Sequence, residues 1–223
     1  MRELKNKYKD KDIWVLLAGS SMDYIDTSFF VGKITIGQNQ MYRLFPCNYI
    51  VMKDCMEEPR FPRSIKELND LGIPLIYSEF YKGRSNFEKN KVQHNNSFMF
   101  SHNKRLEGSN LYDELQSLNE DEIIVSRSTV TTLMHVAAYM GAKNIILCGH
   151  DCGRLDGSLY ATGYLEKDWV SAGNWSGIDS FMGKLQYDSA IVREYLMERY
   201  KVNIHSINPF MNLGLEGHKF EPS

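Results

Sequence analysis

The sequence predicts an α/β fold with a Rossmann-like, doubly wound, mainly parallel sheet. Three observations predict it. Short apolar runs alternate with helical patterns, as in Ile13 to Ala18, Tyr49 to Met52 and Asn144 to Cys148. Their uninterrupted apolarity marks strands covered on both faces. A strand–helix–strand unit is legible over residues 122–148, and right-handed crossover makes its two strands parallel.

Ile13 to Ala18 is the first strand and ends at Gly19-Ser20-Ser21. Lys33 to Gly37, Tyr49 to Met52 and Ile73 to Tyr77 are the next three. Between the last two, Ile65, Leu68 and Leu71 stand at helical spacing, and Gly72 and Pro74 stop that helix. Residues 82–109 are polar apart from Phe98 to Phe100, and read as a long loop. Glu122 to Val125 is the fifth expected strand. In the helix that follows, Val130, Leu133, Met134, Ala137 and Ala138 mark one face. Ser126 or Ser128 can cap its start, and Gly141 can end it in the left-handed conformation. Asn144 to Cys148 is the sixth strand, closing at Gly149-His150-Asp151. Residues 153–183 are rich in glycine and aromatics, including Trp169 and Trp175, and read as a lid. Gln186 to Tyr200 is a last helix and Val202 to Ile207 a last strand. The whole of 1–223 is read as one domain.

Composition narrows the function classes. The 223 residues are ample for a core. A formal net charge of -2 gives no basic field to recruit nucleic acid or an anionic membrane. No apolar run reaches membrane-spanning length, and Met1 to Asp12 lacks the apolar stretch of a signal peptide. A cytoplasmic protein is therefore expected. The four cysteines, Cys47, Cys55, Cys148 and Cys152, form no CxxC pair and read as reduced side chains. Histidine and carboxylate spacing shows no metal motif, so no tightly bound metal is expected.

Ligands of open parallel sheets bind just beyond the strand carboxyl ends. Gly19-Ser20-Ser21, Gln38-Asn39, Lys53-Asp54, Ser126 to Thr129 and Gly149-His150-Asp151 all sit at such ends. The Gly19-Ser20-Ser21 turn can let backbone N–H groups and hydroxyls approach a phosphate, or it is a plain β–α turn. At Ser126 to Thr129, three hydroxyls in four residues exceed what capping requires, and the helix dipole there favours an anion. Asp151 can accept hydrogen bonds from a ribose or sugar, or cap its loop. His135, inside the helix, reads as a core histidine. His150 and His205, near strand ends, are candidates for acid–base work.

The segment STVTTLMHVAAYMGAKNIILCGHDCG resembles the central signature of a broad group of enzymes. That group holds the Campylobacter-type bacterial sialyltransferases of glycosyltransferase family 42, the motility-accessory-factor domains and the archaeal hydroxymethylpterin pyrophosphokinase-like domains. Other pieces fall in the same order. LLAGSSMDYID resembles the N-terminal strand and loop that contact the cytidine phosphate and ribose. Asn39, in IGQNQMY, stands where the sialyltransferases have a nucleotide-binding asparagine. Ser128 and Thr129 match a Thr-Ser pair, and GSLYA with Tyr160 is similar to a donor-phosphate segment. ERYKVNIHSINP resembles the ending. The resemblance spans most of residues 12–210, with the specific part at 128–152. The chain departs from the family in a shorter loop without proline. It also lacks a histidine before the last helix, where Gly183-Lys184 stands. Arg154 lies near a missing second tyrosine.

The resemblance implies transfer of a sugar from a CMP-activated donor to an acceptor hydroxyl. Gly19, Ser20, Ser21, Asn39, Ser128, Thr129 and Asp151 would hold the nucleotide. Tyr160 and Arg154 would face its phosphate, and Lys184 or His205 would be the base. The partners expected are a nucleotide-sugar and a glycan acceptor, with no nucleic acid; homo-oligomerisation is left open. Two alternatives stand beside this. One is a magnesium- and ATP-dependent diphosphokinase, with Asp54 and Asp151 near the phosphates. The other is a nucleotide-binding module without catalysis, which the missing histidine favours.

Overall fold

A computed structural model describes residues 1–53, 60–78, 80–81, 84–85, 94–101, 110–164 and 177–207. The strands are β1 (Asp12–Leu16), β2 (Ile34–Gln38), β3 (Tyr49–Met52), β4 (Leu75–Ser78), β5 (Phe80–Tyr81), β6 (Arg84–Ser85), β7 (Ser97–Phe100), β8 (Asn144–Cys148) and β9 (Asn203–Ser206). The α-helices are α1 (Arg60–Leu71), α2 (Leu111–Gln116), α3 (Thr129–Tyr139) and α4 (Ile178–Tyr200). Seven strands form one sheet in the order β7-β4-β3-β2-β1-β8-β9, and every pairing in it is parallel. The strand β5 pairs antiparallel with β6 in a separate two-stranded ribbon. Both neighbours of β1 are parallel to it, β2 on one side and β8 on the other. The chain thus builds outward from β1 through β2, β3, β4 and β7, then returns to β1's other edge with β8. That reversal is a topological switch point, where adjacent crossovers diverge and leave a crevice at the strand carboxyl ends.

The apolar runs are strands because both sheet faces are covered. All four residues of β3 and of β4 are buried, as are Ile145 to Cys148 of β8. The helix α3 is buried along its whole length, not on one face as its pattern predicts. It lies between the sheet and α4, so Leu133, Val136 and Ala137 share a core with Val192, Tyr195 and Leu196. Its start is capped by Ser128, whose Oγ accepts from the Val130 N–H at 3.3 Å. Its end is Gly141 at φ +88, where the Gly141 N–H donates to the Ala138 carbonyl and the Ala142 N–H to that of Ala137. Paired bonds of this kind satisfy carbonyls that the helix would otherwise orphan.

Three expectations are corrected. The expected loop over 82–109 contains β7, because Phe98 to Phe100 pairs with β4 and buries Phe100. Four residues between polar flanks are too few to show a period. Conversely, Glu122 to Val125 forms no strand; a single bridge joins Ser101 to Glu122. Side chains of α3 take its backbone groups instead. The Ile124 N–H donates to His135 Nδ1 at 2.9 Å, and Thr132 Oγ1 donates to the Ile124 carbonyl. Third, α4 begins at Ile178, so the last residues of the expected lid are the first turns of a long helix. The tryptophans Trp169 and Trp175 lie outside the described residues. Within the expected lid, residues 155–158 form a tight hairpin turn. Leu155 and Ser158 exchange backbone bonds around Asp156-Gly157, both at positive φ, which is the two-residue turn favoured by right-twisted strands.

His135 is 1% exposed, and burial, with the Arg199 charge second, lowers its pKa from 6.5 to about 3. Since its Nδ1 accepts, its Nε2 carries the proton toward the Tyr200 hydroxyl at 2.8 Å. The folded chain keeps this ring neutral while the unfolded chain protonates it, so stability is lost as pH falls from about 6.5 toward 3. Urea unfolding at pH 7 and pH 5 is expected to show this loss, at up to roughly 1.4 kcal/mol per pH unit from this residue. A His135→Gln variant should lose less stability between those two pH values, and an equal loss would refute the assignment.

Candidate functional site

A cavity of about 330 Å³ opens at the carboxyl ends of β1, β2, β3 and β8, across the switch point. Gly19 borders it from β1, Asn39 from β2 and Lys53 from β3. Arg127, Ser128 and Thr129 line it at the N-terminus of α3. His150, Asp151 and Cys152 follow β8. Tyr160 and Tyr164 come from the hairpin segment, and Phe181 and Leu185 from α4.

The β1 and β8 ends meet through bare backbone. The Gly19 N–H donates to the Gly149 carbonyl at 3.0 Å. A Cβ on Gly19 would overlap that carbonyl and the Asp151 carboxylate. Gly149 stands at φ +74, and a Cβ there would lie 2.6 Å from the Leu17 carbonyl oxygen. Asp151 is 2% exposed, and its carboxylate accepts from the Ser21 N–H at 2.8 Å and from the Ser21 hydroxyl at 2.5 Å. A buried carboxylate requires such donors. Asn39 holds φ +46 at the end of β2, a conformation asparagine tolerates better than most residues. Its amide reaches the Tyr164 hydroxyl at 3.5 Å, and Tyr164 stacks on Tyr160 with centroids 5.7 Å apart.

Two cations enter the cavity wall. Lys53 is 6% exposed, and its Nζ donates to the carbonyls of Ser126 and Arg127 at 2.8 and 2.9 Å. Arg127 Nη1 donates to both carboxylate oxygens of Asp188, a fully buried residue of α4, at 2.8 and 2.9 Å. The 126–128 turn is therefore tied to β3 by one cation and to α4 by the other. It presents the N-terminus of an eleven-residue helix to the cavity.

Of the residues expected at the site, Gly19, Asn39, Ser128, Thr129, Asp151 and Tyr160 come together around this space. Ser20 and Ser21 do not line it. Ser20 Oγ donates to the Ser158 carbonyl at 2.8 Å and Ser21 serves Asp151. The exposed Arg154 has a guanidinium that donates to the Gly157 carbonyl of its own hairpin. The two expected bases are corrected: Lys184 faces solvent on α4 and His205 is exposed on edge strand β9, and neither borders the cavity. On α4 the cavity is lined by Phe181, Met182 and Leu185, and Lys184 is exposed beside them without lining it. On β9, His205 lies on the outermost strand of the sheet. Sequence reasoning gave no role to Lys53, Arg127 or Tyr164. The first two stood at recognised strand or helix ends, and that position was the available signal.

The sheet order and the cleft at its switch point define a Rossmann-like α/β protein. No protein-family profile matches the chain. No curated protein sequence matches it significantly. Likeness emerges among solved structures. The sialyltransferase CstII from Campylobacter jejuni, in complex with the substrate analogue cytidine-5'-monophosphate, is similar at TM-score 0.58 and 17% identity, over 92% of this chain and 83% of that one. The same enzyme with CMP-3FNeuAc gives TM-score 0.57 at 17% identity, over 92% and 84%. The sialyltransferase CST-II with a trisaccharide acceptor and CMP gives 0.53 at 16%, over 92% and 84%. At these identities the likeness is one of fold.

The Gly19–Asp151 junction yields a stability prediction. Gly19→Ala forces atoms apart and is expected to destabilise by about 1–3 kcal/mol. Ser21→Ala removes a hydroxyl bond to a buried carboxylate and is expected to cost a similar ~1.5–3 kcal/mol. Chemical denaturation measures both, and a variant as stable as the parent would refute its contact.

Proposed function

We propose that the cavity binds a cytidine-monophosphate-activated sugar, and that the chain transfers the sugar to an acceptor hydroxyl, with a sialic acid as the sugar. The observation that carries this reading is the convergence of Gly19, Asn39, Thr129 and two cations on one cavity at the switch point. The volume of about 330 Å³ lies within the range of small-ligand pockets, roughly 300–1,000 Å³. The fold shared with CstII solved around CMP and CMP-3FNeuAc supports the choice of nucleotide.

The chemistry follows from charge. Glycosyl transfer releases a nucleotide phosphate, so the site must stabilise negative charge that grows as the anomeric bond breaks. Lys53, Arg127 and the N-terminus of α3 are cationic or dipolar groups fixed in place before the ligand arrives. Thr129 and Ser128 stand at that terminus, and the stacked Tyr160 and Tyr164 add aromatic surface and phenol groups to the wall. Asn39 is the amide that would meet a ribose or a base, beside the Asp151 carboxylate that Ser21 holds. Such a site holds the nucleotide by direct contacts with the chain.

Thermal unfolding with CMP, UDP, GDP and ATP, each with and without magnesium, tests the reading. CMP at 100 times its dissociation constant is expected to stabilise the fold by ~2.7 kcal/mol without metal. Thr129→Val and Lys53→Met, which remove groups from the wall, should weaken CMP binding about tenfold or more in calorimetry. Stabilisation by ATP alone, and only with magnesium, would replace the reading with diphosphoryl transfer.

A further inference from the structure

We propose that Glu67 of α1 is a positioning residue for the nucleotide: through Tyr42 and Arg43 it fixes the short helix that carries Asn39 at the cavity wall. The inference rests on the reading of the cavity as a sugar-nucleotide site.

Asn39 lines the cavity, and it is the first residue of a 3-10 helix, Asn39–Arg43, that follows β2. Its φ of +46 turns the chain out of the strand and into that helix. Residues other than glycine enter this left-handed region at a steric cost, which asparagine bears better than most. Such a conformation persists only where the surrounding structure holds it. The contact of Asn39 with Tyr164 is a weak holder, because the amide stands 3.5 Å from the phenol oxygen. A stronger anchor lies at the other end of the helix.

Glu67 gathers the last two residues of that helix. Its Oε2 accepts from the Tyr42 hydroxyl at 2.7 Å and from Arg43 Nε at 2.8 Å. Its Oε1 accepts from Arg43 Nη2 at 3.0 Å. A guanidinium bound to both oxygens of a carboxylate is fixed in direction as well as in distance. Burial pushes the Tyr42 phenol up to about 12, so it remains a donor at neutral pH. Two consecutive side chains held on one carboxylate keep a short helix from sliding and from turning about its axis. Between the two ends, Met41 is fully buried. The Tyr42 ring shares an apolar cluster with Leu68 of α1 and with Ile50 and Met52 of β3.

Glu67, Tyr42 and Arg43 do not line the cavity, whereas Asn39 does. An effect of Glu67 on a bound nucleotide therefore passes through Asn39. The half-buried carboxylate touches no ligand itself; it sets where the amide stands before the ligand arrives. An ion pair that served only the stability of the fold would act on binding regardless of what occupies position 39. That difference separates the two roles.

Calorimetric titration of the full chain with CMP tests the proposal as a double-mutant cycle. Glu67→Gln removes the charge that holds Arg43 and keeps the length of the side chain. It is expected to weaken CMP binding about three- to tenfold. Asn39→Gly removes the amide and relieves the left-handed constraint. In the Asn39→Gly background, Glu67→Gln should change CMP affinity by less than about twofold, because the group it positions is gone. Arg43→Gln breaks the same ion pair from the other side and should reproduce both results; it carries the test if Glu67→Gln does not fold. Equal losses in the two backgrounds would show a general structural role and overturn the proposal. So would a Glu67→Gln or Arg43→Gln chain that binds CMP as tightly as the parent, which leaves the nucleotide site standing. A parent chain that binds no CMP overturns the sugar-nucleotide reading itself.

Discussion

The rest of the site depends on the close approach of two loops, one leaving β1 and the other leaving β8. Their backbones touch between Gly19 and Gly149, where side chains have no room. Asp151 then reaches across and takes both the N–H and the hydroxyl of Ser21. A carboxylate at 2% exposure survives only with charge-assisted donors of this kind, so the two loops fix one another. The cavity floor is a consequence of that mutual fit. The hydroxyls of Ser20 and Ser21 are both engaged in holding the loop.

A second constraint acts on the far wall. The 126–128 turn carries the helix terminus that borders the cavity, yet the 122–125 segment leading into it pairs only through a single bridge at Glu122. Side chains replace the missing ladder. Lys53 gathers two of its carbonyls, Asp188 holds its arginine, and His135 and Thr132 satisfy Ile124. Each of these contacts joins residues from different elements. The turn therefore inherits its position from β3, α3 and α4 at once. His150 Nδ1, which follows β8, is one of five buried side-chain polar atoms without a hydrogen-bond partner among the described residues.

The legible parts of the fold were those with local signals. Apolar runs covered on both faces gave β1, β3, β4 and β8 within a few residues. Gly141 and Gly72 ended their helices at positive φ, as left-handed termini require. The edge strand β7 was missed because an edge strand of four residues needs only Phe100 fully inward. The segment 122–125 misled because extended, buried backbone has the same composition whether a strand or a helix side chain satisfies it. The start of α4 was hidden because Gly183, a poor helix former, sits inside it and faces solvent.

For the site, the sequence by itself determined which residues stand at strand and helix ends, and so which were eligible. Gly19, Asn39, Ser128, Thr129 and Asp151 were legible because strand termini in a parallel sheet all point to one edge. Only the tertiary structure decided the direction of each side chain and the partner it meets. It turned Ser21 toward Asp151, aimed Lys53 at two carbonyls, set Lys184 and His205 outside the cavity, and left one nitrogen of His150 unfilled. The physical reason is that position along a strand is a local property of the chain. Hydrogen-bond satisfaction is settled among residues such as Lys53 and Ser126, 73 positions apart, which meet only when the sheet is assembled.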